Sequence, residues 1–508
     1  MSEKQGKKIG LVLALMMLIG SVVGIGIFFK NGTISRETGG NGISWLIAWI
    51  IGGIISIAAA LNFAEIGTMK KSKLSGLSSW IYRTSGTKIG YGTSVAYAIF
   101  YWGLLLVIIP IFSAEMLFYF LGTINVIDFQ KIKLWVICLT GIGIGILFYV
   151  LNWISLKISG YVQTVVTILK FIPLLLGALA GIIFPYVNNN GGTNAFVDFK
   201  NTFSAKGIVL ALPAVLFSYD AFLVSGSIGN KIKNANRNLP LAILIGMITI
   251  VILYSLIAIS SILHNSSVIW DLLKNTMPAN ISNYIVPMVV FFILVSSLGV
   301  TNGISAAFSA EIENLIDLNV LFGSKWLKDK IQDKAKIVYW LFILLIWNLM
   351  WILPSAIIDS DALIDGVSNY PTAFFMMVYA YLILTYTIKR NKINETQKIN
   401  KYLYYIAAFI SVVGIAVVKI AYLYAISENL VKWEIANWGL FKTDANAIKI
   451  PLEFILYIIN LLIIIIIPFI NFYLEKWIFK RNILNEFTSQ LEEKEEKTNK
   501  FKNESFYI

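Results

Sequence analysis

The residues best placed to do chemistry in this chain are few, and they stand in unusual surroundings. Gly20, Gly24 and Gly26 fall within the apolar stretch GSVVGIGIF. Asp220 sits in the middle of another, LPAVLFSYDAFLVSGSIGN, after Pro213 and beside Ser218 and Tyr219. Lys170 interrupts a third, with hydrophobic residues on both sides. Glycine weakens a helix interior by about 1 kcal/mol relative to alanine. The glycine cluster therefore predicts either a frayed backbone or, through its G-x-x-x-G spacing, a helix pressed close to a neighbour. A carboxylate at mid-span costs roughly 2.5 to 3.5 kcal/mol on insertion scales and by default marks a site or pathway; the alternative is an Asp satisfied by neighbouring amides. For Lys170 the alternative is an ammonium that snorkels to an interface. One cysteine, Cys138, and one histidine, His264, leave no multi-cysteine or polyhistidine metal site. No metal and no cofactor is expected.

The elements that position these residues follow from composition. Of 508 residues, 57% are hydrophobic and 14% charged, with a mean hydropathy of +0.75, against roughly 25% charged in a soluble domain. That excludes a soluble enzyme and makes the bilayer the solvent. Twelve apolar runs are long enough to cross about 30 Å of hydrocarbon: residues 9–29, 43–67, 94–121, 134–154, 161–187, 208–228, 239–263, 285–310, 337–357, 372–388, 402–426 and 451–472. The first begins after Lys4, Lys7 and Lys8 but is longer than a signal-peptide core and lacks a small-residue cleavage site, so it is expected to remain as a span. With the N-terminus inside, the inner segments hold 29 Lys/Arg and the outer loops 10. That is the bias expected of cytoplasmic loops, and it places both termini in the cytoplasm. The net charge of +13 is then explained without nucleic acid. Asp359, Asp361 and Asp365 make the loop before span 10 acidic and are expected to form a solvated face. LEEKEEKTNKFKNE, in the C-terminal tail, suits a solvated helix or a disordered end.

Position connects the two unusual stretches. One opens the first five spans and the other the second five, and paired broken helices in corresponding halves are the sequence sign of a transporter built from inverted repeats. Half-helix N-termini suit a carboxylate and freed carbonyls suit an ammonium, so an amino acid, which carries both, fits such a site.

On these residues the chain resembles the amino acid, polyamine and organocation transporter superfamily. Gly20 to Phe28 is similar to that family's G-S-x-x-G-x-G-I-F, and KNANRNLP, Lys233 to Pro240, to its K-N-P-x-R-N-I-P. Ala64, Glu65 and Gly67 are similar to its A-E-L-G, and Lys170 to a lysine of span 5. The resemblance implies an all-α integral membrane protein of about twelve transmembrane helices in the LeuT-like fold: a 5+5 inverted repeat, two C-terminal helices, and discontinuous spans 1 and 6. The expected division is a cytoplasmic N-terminus (1–8), a first five-span repeat (9–200), a second (201–390), spans 11 and 12 (391–476) and a cytoplasmic tail (477–508).

The same resemblance implies that Ser21, Val22, Gly24, Ile25 and Gly26 bind a substrate carboxylate through backbone amides. Phe217, Ser218, Tyr219, Asp220 and Ala221 would be the unwound part of span 6, with Phe217 closing over the substrate. Lys170 would stand where related sodium-dependent transporters hold an ion, which implies proton coupling or exchange, and Asp220 is a second candidate for coupling. The chain departs from the family at Ala221, where a glycine is usual, and at Ala235, where a proline is usual. Around this core, Tyr97 and Tyr101 face either the cavity or their packing neighbours. Glu115 is either a proton carrier or a group near the outer surface. Ser296, Ser297 and Asn302 are ion-site residues or simple helix hydrogen-bonders.

The implied function is a plasma-membrane amino acid permease working by alternating access. The alternatives are a polyamine or cationic amino acid antiporter and, more distantly, an amino acid sensor retaining the fold. The partners implied are the amino acid, the lipid bilayer and a proton. A membrane enzyme lacks the necessary cluster of acids or histidines, and the phosphate loop G-x-x-x-x-G-K-[ST] is absent from the sequence.

Overall fold

The computed structural model describes residues 10–24, 26–69, 74, 76–184, 195–196, 202–220, 223, 232–394, 396–436, 438–439, 441 and 450–491. Their regular elements are helical, as a chain without water to satisfy its backbone requires. Among the described residues, ten helices are long and apolar enough to cross a membrane. They are Gly42–Ile66, Thr87–Thr123, Leu134–Ile154, Ser159–Ile183, Arg237–Leu263, Ala279–Asp317, Ala335–Ile358, Ala362–Lys389, Lys401–Lys432 and Leu452–Ile478. They correspond to spans 2–5 and 7–12, and make this a multi-pass membrane protein.

The two spans missing from that set are those whose sequence predicts a break. Span 1 is helical over Leu11–Val22, leaves the helix at Val23 and Gly24, and resumes as a wide turn, Gly26–Lys30, followed by Asn31–Glu37. Span 6 is helical over Ala205–Tyr219 and ends at Asp220.

Several helices outrun their apolar runs. Span 3 starts at Thr87 rather than at Ser94, and span 10 at Ala362 rather than at Thr372. The helical ladder satisfies the backbone past the point where hydrophobicity stops. Side-chain caps then fix some ends: Asn41 accepts from the Ser44 amide at 2.8 Å, and Asn400 from the amides of Tyr402 and Leu403 at 3.0 and 3.3 Å. Burial sorts the spans. The most apolar window of span 3 is 72% buried and that of span 2 is 61%, whereas that of span 12 is 22%. Spans 2 and 3 therefore belong to the centre and span 12 to the lipid-facing rim.

Because the spans alternate in direction, the bundle has two ends. The near end carries Gly10, Glu65 and Arg390; the far end carries Lys30, Trp270 and Asp361. The start of the C-terminal tail, ahead of the LEEKEEKTNKFKNE segment, docks at the near end. Ile483 and Phe487 of the helix over 483–491 are fully buried, and the Phe487 ring meets Tyr82 and Tyr91 edge-on at 5.7 and 6.1 Å. The LEEKEEKTNKFKNE segment lies outside the described residues apart from Leu491.

Arg481 ties this helix down by pairing with Glu486 and with the buried Glu475, the latter at 2.5 Å. The Arg481 guanidinium holds the Glu486 carboxyl below its ordinary value. A depressed carboxyl adds stability above its unfolded pKa, about 4.3 for Glu, and loses it as pH falls through the folded value. Arg481→Ala is expected to speed proteolytic release of the tail several-fold at pH 7. Lowering the pH below about 4 should have the same effect on the unaltered protein; equal cleavage rates with and without Arg481 would remove the clasp.

Candidate functional site

The break in span 1 is held open by side chains from its neighbours. The Lys170 ammonium, fully buried, donates to the carbonyls of Gly20 and Val23, both at 2.6 Å. The Tyr254 hydroxyl donates to the Val22 carbonyl at 3.3 Å. Carbonyls freed by unwinding thus receive donors from spans 5 and 7 in place of helix amides, which is what a broken backbone at membrane depth requires. Lys170 is therefore not a snorkelling lysine.

The glycines serve close packing as well as the break. A Cβ on Gly20 would lie 2.3 Å from Thr167 Oγ1, on Gly24 2.1 Å from Val300 Cγ2, and on Gly26 2.4 Å from the Ser218 Cα. Span 1 is thereby pressed against spans 5, 8 and 6 in turn, and Gly26 brings the two breaks into contact. Both alternatives read from the glycine cluster hold at once. Ile25 lies outside the described residues, as does the Ser21 side chain.

On span 6 the helix runs further than expected. Phe217, Ser218 and Tyr219 are helical, with the Ser218 hydroxyl donating to the Ala214 carbonyl at 2.8 Å. Only at Asp220, whose amide reaches back to the Phe217 carbonyl at 3.2 Å, does the chain turn extended. Ala221 is outside the described residues. The Asp220 carboxylate, 4% exposed, is gripped by hydroxyls from two other spans. Tyr101 and Thr372 donate to Oδ2 at 2.5 and 2.7 Å, and Tyr379 to Oδ1 at 3.4 Å. Asp220 is a node joining spans 3, 6 and 10, a role that sequence spacing does not reveal.

Hydrogen bonds to a charged group contribute roughly 1.5–3 kcal/mol each. Asp220→Asn, which leaves the shape but removes the charge, is expected to slow transport about tenfold or more and to change its pH dependence. An unaltered rate and pH profile would take Asp220 out of the working site.

Each end of the bundle carries a buried ion pair. At the far end Lys30, fully buried at the end of the wide turn of span 1, pairs with the buried Asp365 of span 10 and donates to the Ser368 hydroxyl at 2.7 Å. Its ammonium lies 5.0 Å from the centre of the Phe217 ring, linking this pair to span 6. Asp365 also accepts from the Gly439 amide at 2.8 Å, and Asp361 from that of Phe441 at 2.7 Å. Asp359 stays partly exposed and pairs with the exposed Lys133 at 3.0 Å, whereas Asp361 and Asp365 are fully buried, which corrects the expectation of a solvated face for these two. The chain after span 11 folds back over them, and pairing removes the need for water. Above the pair, Phe441 stacks on Trp270 at 5.8 Å and meets Phe29 and Tyr119 at 5.7 and 5.2 Å. At the near end Arg390 grips Glu65 through a two-pronged contact of 2.7 and 2.9 Å, and the Ile399 amide and Tyr386 hydroxyl add bonds of 3.0 and 2.9 Å to the same carboxylate.

The remaining predicted residues disperse. Tyr97 packs on Tyr101 and Phe375 at 4.9 and 5.0 Å beside Asp220. Glu115 is fully buried in span 3, and its carboxylate oxygens have no hydrogen-bond partner among the described residues, so it is not a surface group. Ser297 bonds the earlier carbonyl of Leu294 at 2.8 Å, while the Ser296 hydroxyl has no partner among the described residues. Asn302 knits span 8 to spans 4 and 5 through Asn152, Ser159 and Gln163, a packing role. Lys30, Asp365 and Arg390 were missed, since each pair joins residues more than 300 positions apart and no local periodicity marks them.

Two interrupted helices in contact, with a buried lysine on the carbonyls of one and a buried ion pair at each end, match the architecture of membrane transporters of the broken-helix type. The chain belongs to the amino acid permease family, whose model matches residues 9–440. It is similar to the serine/threonine exchanger SteT of Bacillus subtilis, 28% identical over 49% of this chain and 53% of that protein. It is also similar to the b(0,+)-type amino acid transporter 1 of Oryctolagus cuniculus, 29% identical over half of each, and to the aspartate-proton symporter of Bacillus subtilis, 24% identical over 54% of this chain and 52% of that protein. The chain thus spans about half the length of these curated relatives in the matched stretch. Family and relatives are transporters rather than enzymes.

Proposed function

We propose that this protein carries an amino acid across the plasma membrane by alternating access, driven by exchange or by a proton, with the near end and both termini in the cytoplasm. The observation that carries this reading is Lys170 on the carbonyls of Gly20 and Val23. A fixed ammonium occupies the opened backbone, as a bound cation otherwise would. Gly24 and Gly26, the latter pressed on Ser218, then offer amides to the substrate carboxylate, and the end of span 6 accepts the ammonium. On this reading residues 9–200 and 201–390 form the two repeats. Small neutral substrates are favoured over cationic ones, because three hydroxyls already engage the Asp220 carboxylate and leave it little capacity for a ligand cation. The names of the relatives support both exchange and proton coupling.

The test is uptake of labelled serine, threonine, alanine and arginine into proteoliposomes under a proton gradient, a sodium gradient, or internal unlabelled amino acid alone. The expected result is uptake of the neutral amino acids, independent of sodium. Uptake that requires sodium would overturn the role given to Lys170, and preferential uptake of arginine would favour a cationic exchanger.

A further inference from the structure

A cavity of about 750 Å³ lies between spans 3, 10 and 12, with Leu484 of the docked tail helix in its wall. Spans 3 and 12 are tied at one level by Tyr91, whose hydroxyl donates to the Pro468 carbonyl at 3.3 Å and accepts from the Asn471 amide at 2.7 Å. One residue on, the spans part: a Cβ on Gly92 would meet nothing nearer than the Pro468 Cβ, at 4.0 Å. The hollow runs along span 12 from Leu461 to Tyr473, about 18 Å at the helical rise. One leaflet's share of about 30 Å of hydrocarbon is about 15 Å, so the groove has the length of a single acyl chain. Its wall is aliphatic and aromatic, and Ile465, Phe469 and Tyr473 are 50%, 58% and 43% exposed, so it opens sideways to the bilayer. Water finds few partners on such a surface; hydrocarbon wets it.

The near-end mouth of the groove is cationic. Lys88, Gly92 and Ala96 form one stripe on span 3, and Leu461, Ile464, Pro468 and Phe472 another on span 12, which Lys476 continues by a turn. Lys88 and Lys476 are exposed, and Glu475, the carboxylate beside Lys476, is held by Arg481. Lysines at headgroup level attract anionic lipid, and their long side chains reach out to a phosphate. At the deep end the wall is Phe375, fully buried, whose ring meets Tyr97 and Tyr101 at 5.0 and 5.1 Å. Tyr101 in turn donates to Asp220.

We propose that this groove binds an anionic glycerophospholipid of the near-end leaflet, with one acyl chain along Gly92 and Pro468 and the phosphate between Lys88 and Lys476. A chain seated there backs the Tyr101–Asp220 contact from outside, through Phe375. Affinity comes from the buried chain and selectivity from the headgroup, since a zwitterionic headgroup offers the two lysines no net charge.

Two readouts test it in the full-length protein. In mixed micelles titrated with dioleoylphosphatidylglycerol or dioleoylphosphatidylcholine, native mass spectrometry counts the bound lipid, and the anionic lipid is expected to bind at least tenfold more tightly. One basic residue near an anionic lipid surface contributes about fivefold. Lys88→Gln combined with Lys476→Gln should therefore lower phosphatidylglycerol affinity about twentyfold and leave phosphatidylcholine affinity within about twofold. For the second readout, phosphatidylglycerol with a photoreactive group in one acyl chain should label residues 88–96 of span 3 and 461–473 of span 12, which line the groove. Gly92→Phe, whose ring fills the groove, should cut that labelling at least fivefold. Equal binding of the two lipids, unchanged affinity in the double lysine variant, or undiminished labelling in Gly92→Phe would overturn the site. The lysine variant alters exposed side chains only, so it decides the question even where Gly92→Phe does not fold.

Discussion

Lys170→Ala is expected to abolish uptake, to below a tenth of the unaltered rate, while the protein still extracts and elutes as a folded species. The ammonium makes two bonds of 2.6 Å to carbonyls that have left the helix. Charge-assisted bonds contribute roughly 1.5–3 kcal/mol each, and a buried carbonyl stripped of its donor costs about 1–3 kcal/mol. That is enough to shift the working equilibrium by at least a hundredfold. The fold survives because Tyr254 still bonds the Val22 carbonyl and span 1 remains packed by its glycines on spans 5, 6 and 8. Lys170→Arg carries the charge but not the shape and should recover binding only in part. The measurement is uptake at matched protein amounts across pH 5 to 8. Transport by Lys170→Ala with the original rate and the original pH profile would falsify the assignment.

The second large effect is expected at the far end. Lys30 and Asp365 are both fully buried. Removing one partner of such a pair costs about 3–5 kcal/mol, whereas replacing both with apolar residues of similar volume is often neutral or stabilising. Lys30→Met alone leaves Asp365 with the Thr33 hydroxyl and the Gly439 amide, too little for a buried charge. A clear fall in the thermal midpoint is expected, and most of it should return in Lys30→Met combined with Asp365→Leu. The double variant is also expected to transport slowly, because the charges that must hydrate when the far end opens are gone and the end stays shut. Additive losses in the double variant would show that the two side chains do not act as a pair.

Much of this molecule was legible in its sequence. Both broken spans appeared as glycine clustering and as a mid-span carboxylate, since each feature is costly in a continuous membrane helix. Lys170 was legible for the same reason. Asp220 stood out as a mid-span carboxylate, but its three hydroxyl partners come from spans 3 and 10, and pairing between distant helices leaves no trace in local spacing. Lys30 follows directly on the first apolar run and Asp365 lies midway between the ninth and tenth, so both counted as loop charges. Only the fold, by bringing span 1 onto span 10 and laying Gly439 and Phe441 over its acids, turns two loop residues into a buried pair. Glu65 drew notice only as part of a motif; its partner Arg390 lay in a charged loop among several equivalent cations.

The stack of Phe29, Tyr119, Trp270 and Phe441 bears on temperature. Opening the far end parts these rings and wets them. Newly exposed apolar surface raises the heat capacity by about 45 cal/mol/K for each 100 Å². The enthalpy separating the closed and open forms therefore changes with temperature, and an Arrhenius plot of transport will bend rather than run straight. Cooling weakens the hydrophobic attraction that seals the stack. The chill that slows most membrane transport will thus, at this one step, favour the open form.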